Sequence, residues 1–191
     1  MNYKYSLKTN LLNEAAMVLA DLPSNISIAI DDMGDEIMIF YYDVDTEESA
    51  NMGQISMEPP KLHPTRGTGP CNNAYMITWV EASKGYGPLL YDLAMEYATR
   101  IGGGLTADRK TVQKDAIDVW DYYATNRVGD VSPIQLDAFE AGTDKSCRMK
   151  AANADKGKGN WKESSLSKAW TKEDVLLKQL EASEPSRIVM L

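Results

Sequence analysis

Apolar residues near the start of the chain recur at helical spacing. Leu7, Leu11, Leu12, Ala15, Val18 and Leu19 share one face of SLKTNLLNEAAMVLA, and DLPSN follows. That period predicts an amphipathic helix over 6–20. The pattern then becomes dense and β-rich. ISIAI (26–30) and EIMIFYYDV (36–44) are β-branched and aromatic runs separated by DDMGD, whose glycine suits a tight turn. A β-hairpin is expected here, with QISM (54–57) as a shorter third strand.

Residues 58–70 carry four prolines and two glycines, which predicts a loop. AYMITWV then reads as a buried central strand over 74–81. A helix over 88–101 follows, opened by Pro88 and ended by Gly102-Gly103-Gly104. Its apolar stripe is Leu90, Leu93, Ala94, Tyr97 and Ile101. Leu105-Thr106 is a short strand, and Thr111 is placed to cap a helix over 112–125 with Ile117, Trp120 and Tyr123 on one side. PIQLDAF (133–139) reads as another short strand. Residues 141–165 hold few large apolar side chains and predict a long flexible loop. A terminal helix over 166–182 would run through Leu166, Trp170, Val175, Leu176 and Leu180. No internal repeat is visible. Helix, antiparallel strands, then strand-helix-strand-helix predicts a mixed α+β (α/β) fold with one main sheet. The expected organisation is a domain over 1–140 and a basic, irregular extension over 141–191.

Size and charge narrow the classes. With 191 residues the chain can bury a core without disulfide staples. Its two cysteines, Cys71 and Cys147, lack metal spacing and suit a reducing compartment. A single histidine, His63, in a Pro/Gly-rich stretch, disfavours a histidine-based zinc site or a serine–histidine triad. No apolar run approaches the roughly 20 residues of a membrane helix. MNYKYSLKTN also lacks the apolar core of a secretory signal, so a cytoplasmic location is expected. A net charge of −8 opposes general binding to phosphate backbones. The exception is 145–172, where Lys145, Arg148, Lys150, Lys156, Lys158, Lys162, Lys168 and Lys172 face only Asp155 and Glu163. Any contact with nucleic acid is expected there, and the alternative reading is a solvated segment.

The stretch that carries chemistry is ITWVEASKGYGPLLYDLAMEYATRIGGG, in which a buried strand runs through Lys84-Gly85-Tyr86-Gly87 into a helix. Glycines let backbone amides crowd together at a helix N-terminus, which carries partial positive charge and suits an anion such as a diphosphate. Glycine in such turns also has a purely steric use. The context resembles the GNAT family of N-acetyltransferases, in which a central strand leads into Arg/Gln-x-x-Gly-x-Gly/Ala and then helix, strand and helix. The resemblance covers residues 71–127, and GYGPLLYD with the later VWDYY is similar to GNAT-like proteins encoded by bacteriophages.

The resemblance implies acetyl-CoA as cofactor, held by the amides of Gly85, Tyr86 and Gly87 with Lys84 as counter-charge, and an amine as acceptor. Ala82 stands where the family has Arg or Gln, which removes one expected phosphate contact. Trp120 stands where the family's general-acid tyrosine falls, and Tyr123, one turn on, is the candidate acid, with Tyr122 beside it. Glu81, at the end of the central strand, is the candidate base, or else an exposed acid near Lys84. Asp108 and Arg109 border the same cleft at the end of the next strand. Two functions follow as expectations. One is acetyl transfer to an amine. The other is a non-catalytic GNAT-like fold serving as a structural or partner-binding protein in a phage, in host cytoplasm or virion.

Overall fold

The computed structural model describes residues 19–60, 73–108, 110–136 and 151–191. The expected helix over 6–20 lies almost wholly outside them, as do His63, Cys71, Arg109, Cys147 and most of the 58–70 loop. The described elements form a mixed α+β fold consistent with a GNAT-like α/β arrangement. Eight strands make one sheet: β1 (Ile26–Asp32), β2 (Ile37–Asp43), β3 (Glu48–Glu58), β4 (Tyr75–Ala82), β5 (Leu105–Thr106), β6 (Val131–Gln135), β7 (Lys168–Lys172) and β8 (Ile188–Met190). Among the described residues there are three α-helices: α1 (Gly87–Ile101), α2 (Lys114–Asn126) and α3 (Val175–Ala182). The sheet order is β6-β7-β5-β4-β3-β2-β1-β8. Strands β1 to β4 form an antiparallel meander, while β5 lies parallel to β4 and β8 parallel to β1.

The hairpin of β1 and β2 forms where the apolar runs predict it, closed by Met33 N–H donating to the Glu36 carbonyl at 3.0 Å. Strand β3 is longer than QISM indicates. Its first half, ESANMG, has no buried residue, so no apolar periodicity marks it. Helix α1 is buried almost all round because it lies between the sheet and α3, and its stripe extends to Leu89, Met95 and Ala98. Ile101, expected to face the core, is 38 % exposed in the last turn.

Two expectations about caps and tail are corrected. Thr111 does not cap α2, whose N-cap is Gln113. Instead Asp108 accepts from the amides of Lys110 (2.9 Å) and Thr111 (2.7 Å) and so shapes the approach to the helix. The helix expected over 166–182 is broken into a strand, β7, and the short helix α3. β7 lies inside the sheet between β5 and β6, so this part of the basic extension belongs to the core. Leu166, Ala169, Trp170, Leu177 and Leu180 are all buried there.

A buried ion pair fastens that insertion. Glu96 of α1 is fully buried and accepts from Lys172 Nζ of β7 at 2.5 Å and from the Leu177 amide of α3 at 2.9 Å. One carboxylate thus joins three elements and caps the α3 N-terminus.

Candidate functional site

Strands β4 and β5 form a fork. They pair at only two positions, Tyr75 with Leu105 and Met76 with Thr106, and β4 then continues to Ala82 without a β5 partner. On its other side β4 carries a bulge. Ser56 faces Trp79 and Met57 faces Ile77, leaving Thr78 as the extra residue. A bulge bends its strand and re-aims the side chains beyond it. The Thr78 hydroxyl oxygen is buried with no hydrogen-bond partner, an uncompensated polar group beside the opening of the fork.

At the upper end of β4 the chain turns directly into α1. The Ser83 amide donates to the Met52 carbonyl at 2.8 Å, and the Tyr86 amide to the Ser83 carbonyl at 3.1 Å. Gly85 sits at φ +90°, a conformation side chains resist, with nothing within 4 Å of a would-be Cβ. No side chain caps α1, and Pro88 lies in its first turn. The remaining amides of that turn therefore present partial positive charge at the end of β4. Gly87 itself is buried, and a Cβ there would make an ordinary contact with the Ala82 Cβ at 3.6 Å. The turn is held from β2: Tyr41 Oη donates to the Tyr86 carbonyl at 2.7 Å, and the two rings meet edge to face at 5.3 Å. Burial raises the Tyr41 hydroxyl pKa far above the tyrosine range, so it stays a donor.

The residues expected from sequence at 81–87 thus gather at one end of the fork. Glu81 and Lys84 are exposed, Gly85 and Tyr86 are half-buried, and Gly87 is buried. Asp108, at the end of β5, is committed to the amides of Lys110 and Thr111.

Tyr123 does not join them, and its assignment as general acid is corrected on physical grounds. Its side chain is 2 % exposed between α1 and α2, and Oη donates to Asp92 Oδ1 at 2.6 Å. Asp92 is also bridged by Arg127 at 3.1 Å, and the Arg127 guanidinium lies 5.3 Å from the centre of the Tyr123 ring. Burial and the adjacent carboxylate push the hydroxyl well above the ordinary tyrosine range. A phenolate formed here would face a carboxylate, so loss of the proton is opposed. Trp120 is a core residue, 1 % exposed and edge to face with Tyr91 at 5.9 Å.

Sequence reasoning missed Tyr41 and Glu96. Nothing local marks Tyr41, because its partner is 45 residues away. Glu96 had a usable signal: it falls on the stripe of Leu89 and Leu93, where a charge requires a buried partner.

The turn has uncapped amides and a left-handed Gly85, features an anion site uses, whereas Ala82 offers no cation. Among the described residues no three metal-ligating side chains cluster and no helix is long and apolar enough to cross a membrane. No family model matches the chain, and neither does any curated protein or solved structure with which it was compared.

Proposed function

We propose that the chain is a GNAT-like domain that binds acyl-CoA at the end of β4, with acetyl transfer to an amine as its reaction. The observation that carries this reading is the uncapped, glycine-opened junction of β4 and α1 at the mouth of the fork. In this reading the amides of the first helical turn hold the diphosphate, and Lys84 adds charge at its edge. Glu81 takes the proton of the incoming ammonium, freeing the nitrogen lone pair for attack on the thioester carbonyl. The acyl group moves directly to nitrogen as the C–S bond breaks, without a covalent enzyme intermediate, and the proton that nitrogen then sheds is taken up by the departing thiolate. Most of the acceleration comes from holding two reactants in place.

A second reading, binding without turnover, is favoured by Tyr123, whose hydroxyl is committed to Asp92, and by Ala82 at the cationic position. Calorimetry with acetyl-CoA tests the shared part. Binding should be abolished by Gly87→Trp, whose indole would cover the first-turn amides, and circular dichroism must show that the variant keeps its fold. Undiminished binding in that variant would place the ligand elsewhere and refute the proposal. Release of free thiol with a panel of amines then separates turnover from binding alone.

A further inference from the structure

Beyond the bulge, β4 turns two large side chains away from the core. Val80 and Ala82 pack inward, whereas Trp79 is 57 % exposed and Glu81 is exposed. Of the other tryptophans, Trp120 and Trp170 are buried and Trp161 is half-buried. A strand residue whose indole gains nothing from the core has a use on the surface or none.

The sheet register shows what surrounds it. Gln54 lies directly opposite Glu81, Phe40 opposite Gln54, and Ala29 opposite Phe40. Residues paired in this way share a face, with Cβ atoms ~5 Å apart. Burial falls steadily along the row: Ala29 is 0 % exposed, Phe40 9 %, Gln54 half-buried and Glu81 exposed. The β4 end is therefore an open shelf. Accessible groups on it are the Glu81 carboxylate and the Gln54 amide, with Trp79 on the same face about 7 Å along the backbone of the strand. Among the described residues no cation pairs with Glu81.

An exposed indole two residues from an exposed carboxylate on one strand face is complemented by a cation on an apolar or planar body. The ammonium meets the carboxylate, and the body covers the ring or brings its charge over the ring face. Net charge agrees with the sign at long range: at −8 the protein's overall field favours cations. Position supports the use, because the shelf lies on the β4 segment that borders the fork and runs into the 83–87 turn.

We infer that the shelf formed by Trp79, Glu81 and Gln54 binds the acceptor, a primary amine carried on an aromatic or apolar body. That role for the bound amine rests on the transfer reading above; the binding itself does not. Trp79 and Gln54 are specificity determinants, while Glu81 both binds the ammonium and receives its proton.

Phenethylamine is the probe, with 2-phenylethanol and 3-phenylpropionate as neutral and anionic counterparts, each titrated by calorimetry and by ligand-observed magnetic resonance. The amine should bind at least about tenfold more tightly than the alcohol, and the acid should not bind. Trp79→Ala and Glu81→Gln should each weaken the amine about tenfold, with Trp79→Phe retaining part of the affinity. Both side chains are exposed, so melting temperatures should not move. Equal binding of amine and alcohol, or an unchanged Glu81→Gln variant, overturns the inference. Acetyl-CoA is titrated in parallel. Cofactor binding without amine binding refutes the shelf alone. Amine binding without cofactor binding upholds the shelf and refutes the proposed function.

Discussion

Replacing Glu96 by Ala should be among the most damaging single changes in this chain. The carboxylate is 0 % exposed and its partner Lys172 is 7 % exposed, so truncation leaves a buried ammonium without its nearest anion. Breaking such a pair costs ~3–5 kcal/mol. Asp130, whose Oδ1 lies 3.8 Å from Lys172 Nζ, retains part of the compensation and favours the lower half of that range. Losing the acceptor for the Leu177 amide adds about 1 kcal/mol, as for other helix caps. The sum is about 4–5 kcal/mol, or a drop in melting temperature of roughly 8–20 °C for a chain of this size. Urea unfolding followed by the fluorescence of the buried Trp120 and Trp170 measures it. The double variant Glu96→Leu/Lys172→Met removes both charges and fills the space with apolar atoms, so it should lie within ~1 kcal/mol of wild type. The pair also has a pH signature. Desolvation outweighs Lys172 and the α3 amides and raises the Glu96 pKa above its ordinary 4.5. A raised acid contributes stability that is present below about 4.5 and is lost as pH rises through the native value. The stability of wild type relative to Glu96→Gln should therefore decline on raising the pH from that point. A Glu96→Ala cost below about 1 kcal/mol, or a double variant costing the sum of the single changes, would refute this account.

Tyr123→Phe should cost ~1.5–3 kcal/mol, since its hydrogen bond goes to the Asp92 carboxylate that Arg127 also bridges, and should leave any acetyl transfer per folded molecule unchanged. A selective fall in turnover with unchanged stability would restore Tyr123 as the acid. Gly53→Ala should destabilise by more than about 2 kcal/mol, because its φ is +147° and the new Cβ would lie 2.7 Å from Ala82 Cα and the Glu81 carbonyl. Chemical unfolding decides it, and a neutral outcome would mean that β3 can draw back from the end of β4.

The elements that sequence alone determined are those whose signal is local. Apolar density fixed the β1–β2 hairpin and β4, and Pro88 with Gly102-Gly103-Gly104 bounded α1 to within a residue. The turn at 84–87 was legible for the same reason, since glycine conformations are set by neighbours along the chain. Tertiary structure decided the rest. Residues 168–172 became a strand because β5 and β6 leave a slot between them, and pairing and burial there outweigh the helical spacing of Leu166, Trp170 and Val175. Tyr123 shares a helix face with Trp120 in the sequence, but only the packing of α2 on α1 brings Asp92 to its hydroxyl. The exposure of Trp79 likewise depends on the bulge at Thr78, a mismatch between two strands that neither strand contains by itself. Local rules choose the elements; which side chains meet is set by contacts between residues far apart in the chain.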